Sequence, residues 1–103
     1  MRILIIEDDQ YIGESLRKSL EAECFAVDTS EDGEDGSYKA RTNKYDAIIL
    51  DIILPKKSGL QVCREIRSLG ISVPIIVISI RNNTDNKIAL LNSGADDYLG
   101  KPF

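Results

Sequence analysis

Four carboxylates, a hydroxyl and a lysine in this chain are placed where they could act together: Glu7-Asp8-Asp9, Asp51, Ser79 and Lys101. Asp51 lies inside YDAIILDIIL, between Leu50 and Ile52, where a carboxylate is expensive to bury without a partner. An aspartate at a strand end can simply cap a turn, but three other apolar runs here also lead into polar residues. The acidic run after ILII divides in two. Asp9 suits the N-cap of a helix, which leaves Glu7 and Asp8. Carboxylates gathered at one place repel each other unless a cation sits among them. With no histidine in the chain and no cysteine nearby, an oxygen-only ligand set selects a hard ion. Mg²⁺ fits best, held by carboxylates, waters and a phosphoryl oxygen, with Mn²⁺ as a substitute. The first turn is acidic and lacks a Gly-rich loop, which argues against simple phosphate capture there. A carboxylate nucleophile can form an acyl phosphate, and a metal with a lysine can offset charge on a transferring phosphoryl group. Pro102 fixes the direction of the loop that carries Lys101.

These residues act together only if the elements between them bring them to one place. Arg2–Ile6 (RILII) is a short apolar run, read as a buried strand. Residues 9–22 place Ile12, Leu16 and Leu20 at helical spacing. Residues 25–29 read as a second strand. Residues 31–43 hold Asp32-Gly33 and Asp35-Gly36, two steps that predict a short or ragged helix. Residues 45–50 are the strongest strand, followed by the loop composition LPKKSG. Residues 60–69 carry Leu60, Val62, Cys63, Ile66 and Leu69 on a helix that stops at Gly70. Residues 74–79 (PIIVIS) form a fourth strand, with proline at its first position. Asn83 or Thr84 could cap a fourth helix that buries Ile88 and Leu91 and ends at Gly94. Residues 97–99 give a short fifth strand. Alternating strands and helices predict an α/β fold: one parallel sheet with helices on both faces. In such sheets ligands bind beyond the carboxyl ends of the strands. Every polar candidate falls at that edge.

The chain has 103 residues, which fits one domain, residues 1–103. It is 43% hydrophobic and 29% charged, suited to a soluble single core, with no run near the length of a membrane span. Thirteen bases against seventeen acids leave −4, which points away from a nucleic-acid or anionic-membrane surface. Setting aside the four carboxylates above, thirteen acids balance thirteen bases. The absence of histidine excludes histidine catalysis and most zinc sites. Two cysteines without a C-x-x-C pair, and no signal peptide, suit a reducing cytoplasm. A sheet covered on both faces also predicts a helix after the fifth strand, which this chain does not contain.

Over essentially its whole length the chain resembles the receiver domain of bacterial two-component response regulators. The motifs that carry this are Glu7-Asp8 after ILII, Asp51 with Pro55 and Gly59 in DIILPKKSG, Ser79 after PIIVI, and GADDYLGKPF. The resemblance implies a flavodoxin-like doubly wound sheet of five parallel strands in order 2-1-3-4-5. It also implies that Asp51 is the phosphoacceptor, fed by a phosphohistidine on a sensor histidine kinase. Mg²⁺ would be held by Asp8, Asp51 and the backbone carbonyl of Ile53, with Glu7 acting through a water. Lys101 would pair with the phosphoryl oxygens, while Ser79 and Tyr98 would carry the switch. LPKKSGLQVCREIR is most similar to receivers joined to winged-helix DNA-binding domains, so DNA would be met only through an output domain absent here. Homodimers would form through the fourth helix and fifth strand.

The chain departs from the family pattern at Ile80, where a small residue is usual, and at Asp35-Gly36, where Ala-Leu is common. Two other readings stand beside the switch. One is a receiver-like interaction module that takes no phosphate, for which Ile80 is the hint. The other is a magnesium-dependent phosphatase, against which Glu7-x-Asp9 stands in place of the expected Asp-x-Asp. A carrier of a flavin phosphate is disfavoured by the acidic first turn.

Overall fold

RILII, AIILD and IIVIS are rich in β-branched residues, and such runs become strands buried on both faces. In the computed structural model, which describes residues 1–79 and 94–100 (backbone alone for Ser79 and residues 97–100), they are β1 (Arg2–Ile6), β3 (Ala47–Asp51) and β4 (Ile75–Ser79). The other elements are β2 (Ala26–Ser30), β5 (Asp97–Gly100), α1 (Gln10–Ala22), α2 (Gly33–Thr42) and α3 (Gly59–Ser68). The sheet runs β2-β1-β3-β4-β5 with every neighbouring pair parallel, as the resemblance implies. The expected fourth helix, Ile80, and Lys101 to Phe103 lie outside the described residues.

The strand order fixes where the helices go. The chain steps from β1 to β2 in one direction, then returns past β1 to β3 and β4. Right-handed crossovers therefore put α1 on one face and α2 and α3 on the other. Leu4, Ile6, Ile48, Leu50, Ile75 and Val77 form the core with Ala40 of α2 and Val62, Cys63 and Ile66 of α3. Ile3 and Ile5 are buried on the opposite side of the pleat. The stripe Ile12, Leu16 and Leu20 on α1 is half-buried.

The helix ends follow their capping chemistry. The Asp9 carboxylate accepts from the N–H groups of Tyr11 (2.9 Å) and Ile12 (3.2 Å), as its N-cap reading requires. Ser58 and Gln61 form a reciprocal capping box at the start of α3. Gly70 beyond α3 has φ +78°, the left-handed stop expected there. Of the expectation that the second helix is short or ragged, the first half holds and the second is corrected. α2 is regular over ten residues, with Asp32 as its N-cap accepting from Asp35 N–H at 2.7 Å. Its glycines are contact points: Gly36 packs against the Ile6 side chain, and Gly33 against the Lys57 carbonyl.

Candidate functional site

The registers gather the strand ends. Ile6 of β1 lies opposite Leu50 of β3, so Glu7 and Asp51 leave the sheet at the same level. Asp51 in turn pairs with Ile78 of β4, one residue before Ser79. Ser79 pairs with Gly100 of β5, the residue before Lys101. The backbone thus delivers Glu7, Asp51, Ser79 and the approach to Lys101 to one carboxyl edge. Tyr98 lies two pairs back from that edge, beside Val77. The side chains of Ser79 and Tyr98, and all of Lys101, lie outside the described residues.

Glu7, Asp8 and Asp51 each offer a carboxylate oxygen within 4.8 Å of the other two. Glu7 and Asp51 are buried, at 3% and 6% exposure, whereas Asp8 is exposed. The cluster therefore has a buried floor and an open side. Three hard oxygen donors with no nitrogen or sulfur among them suit a hard divalent cation, and the open side leaves positions for water and an incoming anion. Asp9, committed to its helix cap, stays out of the cluster.

The loop after Asp51 is closed by its own bonds. Gly59 N–H donates to the Ile52 carbonyl at 2.7 Å, and Lys57 N–H to the Pro55 carbonyl at 2.8 Å. Lys56 between them has φ +70°, a three-residue turn that costs a non-glycine residue conformational energy. A side chain on Gly59 would collide with the Asp51 carbonyl and the Ile52 backbone, so the start of α3 abuts the backbone of Asp51. Ile53, within this loop, is 53% exposed.

Several residues that shape this edge were not legible as site residues. Lys57 Nζ reaches both carboxylate oxygens of Glu65, at 2.6 and 3.0 Å. The buried Ser37 hydroxyl donates to the same carboxylate at 3.1 Å. The Lys57 ammonium and then the Ser37 hydroxyl hold the Glu65 carboxyl below its ordinary range. Ser30, at the end of β2, donates to Asp35 at 2.7 Å. That bond, and then Lys39, lower the Asp35 carboxyl. One signal was available in the sequence: Ser58-x-x-Gln61 is a capping-box pattern that fixes where α3 begins.

The sequence matches the response regulator receiver domain family over residues 3–103. Response regulator MprA from Mycobacterium leprae (strain TN) and from Mycobacterium avium (strain 104) are each 42% identical over 103 residues, all of this chain. This chain spans 45% of the length of those relatives. Among solved structures, a two-component response regulator from Clostridium difficile is 36% identical with TM-score 0.95, covering 100% of this chain and 84% of that one. The Francisella response regulator 1452 receiver domain is 33% identical with TM-score 0.94, covering 99% and 84%. TrrA from Thermotoga maritima, solved in complex with Mg²⁺-BeF, is 35% identical with TM-score 0.88, covering 99% and 87%. A family match over nearly every residue, on a sheet of this order with its acids at the carboxyl edge, means that the chain belongs to the response regulator receiver domain family.

Proposed function

We propose that this chain is the phosphorylation-activated switch of a two-component system, with Asp51 as the phosphoacceptor. The observation that carries the reading is the Glu7–Asp8–Asp51 cluster, with its carboxylate oxygens within 4.8 Å of each other. In this reading an Asp51 oxygen attacks the phosphorus of a phosphohistidine on a sensor histidine kinase. The P–O bond forms as the P–N bond breaks, and the imidazole leaves with a proton. Asp8, Asp51 and the Ile53 carbonyl hold Mg²⁺, or Mn²⁺ in its place, with Glu7 acting through a water. The bound ion neutralises charge on the transferring group. Lys101 pairs with the phosphoryl oxygens. Ser79 turns toward them, and Tyr98 changes rotamer with it. TrrA, similar over 99% of this chain, was solved with Mg²⁺-BeF, which supports the ligand chemistry.

Residues 1–103 act as one receiver domain and turn over no separate substrate. The longer relatives leave room for an output domain, proposed to be a winged-helix DNA binder in a transcription regulator. The fourth helix and fifth strand serve as the homodimer face. No described helix is long and apolar enough to cross a membrane, and the cytoplasm, where the kinase would present its phosphohistidine, is the proposed location.

Intact-mass spectrometry after addition of Mg²⁺ and acetyl phosphate tests this directly, beside an Asp51→Asn control. The expected result is one added phosphoryl group, lost without metal and lost in the control. No gain in a chain shown to be folded would overturn the switch and favour a receiver-like interaction module.

A further inference from the structure

The start of α2 is bonded to Ser30, which meets the Glu7 backbone, and to the loop that follows Asp51. On one side the Ser30 carbonyl, at the end of β2, accepts from Glu7 N–H at 2.9 Å, and the Ser30 hydroxyl is tied to Asp35 in the first turn of α2. On the other side Gly33 N–H donates to the Pro55 carbonyl at 3.1 Å. That carbonyl is the one that closes the turn over Lys56. Gly33 packs so closely on the Lys57 carbonyl that a Cβ could not be inserted without moving the loop. A second tie runs from Lys57 through Glu65 of α3 to the buried Ser37 of α2. The loop between Asp51 and α3 is therefore held from the side by α2, in addition to being held at its ends by the sheet and by Gly59.

We propose that Gly33 and the Lys57–Glu65–Ser37 chain are positioning residues for the cation site, fixing the loop that carries Ile53 relative to Glu7, Asp8 and Asp51. The inference rests on reading the cluster as a cation site. Outer-shell contacts of this kind orient ligands and govern metal affinity.

The sign of one substitution separates positioning from electrostatics. Lys57→Met deletes a positive charge from the loop. Coulomb attraction alone would then strengthen binding of a dication at the carboxylates, whereas a loosened loop weakens it. The experiment is a Mg²⁺ titration of the whole chain, read from the amide chemical shifts of Glu7, Asp8 and Asp51, with thermal melting of each variant alongside. Gly33→Ala and Lys57→Met are expected to weaken Mg²⁺ by about tenfold. Lys57→Arg should restore most of the affinity, and Ile66→Val, which trims the buried face of α3, should leave it unchanged. Wild-type affinity in both Gly33→Ala and Lys57→Met, or tighter binding in Lys57→Met, would overturn the positioning role while leaving the cation site intact. If Gly33→Ala does not fold, the Lys57 pair decides alone. A folded wild-type chain that takes up no Mg²⁺ overturns the cation site itself, and the positioning role with it.

Discussion

At the opposite end of the sheet, Tyr45 donates its hydroxyl to Asp28 at 2.7 Å. The Arg2 guanidinium meets the same carboxylate at 2.7 Å and lies 5.2 Å over the Tyr45 ring. Burial, and then the bond to Asp28, push the phenol up to about 12. The Tyr45 hydroxyl, and then Arg2, hold the Asp28 carboxyl below its usual range. The signs define a window. The Asp28 contribution is present above the ordinary carboxylate value of about 4 and is lost as pH falls below it. The Tyr45 contribution is present below the ordinary phenol value of about 10 and is lost as pH rises through the shifted one. Tyr45→Phe should remove the highest-pH step of the tyrosine absorbance titration and lower stability at neutral pH by about 1 kcal/mol or less, because the pair is partly solvated. A high-pH step that survives in Tyr45→Phe would refute the assignment. Glu7, Asp8 and Asp51 were legible in the sequence because each interrupts or follows an apolar run. Ser37, Lys57 and Glu65 were not, being ordinary surface residue types whose contacts join positions 8 and 28 residues apart.

Among the elements, α2 is the one whose character was misread. Two Asp-Gly steps predicted fraying because glycine costs backbone entropy, yet both glycines lie where a side chain would not fit. The contest between propensity and packing can be measured at Gly36. Alanine there should gain about 1 kcal/mol of helix propensity. Its Cβ, however, would lie 2.7 Å from Ile6 side-chain carbons, and overpacking of a core costs about 1–3 kcal/mol. Gly36→Ala is therefore expected to lower the urea midpoint, whereas an increase would mean that Ile6 relaxes freely. The strands were legible to within two residues. Their apolar runs track burial, whereas their bounds track pairing. Residues 45 and 46 read as strand, yet β3 begins at Ala47, because Tyr45 and Asp46 are occupied in the polar contacts at the base of the sheet.

For the molecule as a whole, the burial gradient runs across the sheet. β1 is buried on both faces from Ile3 onward, while β2, at the edge, is mostly half-exposed or exposed. Edge strands and half-buried helices open more readily than central strands. Amide hydrogen exchange should therefore be slowest at Leu4, Ile6, Leu50 and Val77 and faster along β2 and α1; uniform protection across the sheet would contradict this order. The strand order and the acidic edge followed from element succession and the family motifs, but the means by which β1 is aligned did not. RILII is apolar on both faces, so a slip by one residue would present an almost equally greasy strand, and hydrophobic alternation gives little guidance about alignment. What sets it are polar stops at either end. Arg2 N–H bonds to Asp46 at 2.7 Å and the Arg2 guanidinium to Asp28 at one end, and Glu7 N–H bonds to Ser30 at the other. A one-residue slip moves a strand by about 3.3 Å, a large fraction of the 4.8 Å that spans the acidic cluster. The base of the sheet thus works as a length gauge for its top, and an error of alignment at Arg2 would reappear as a misplaced carboxylate at Glu7.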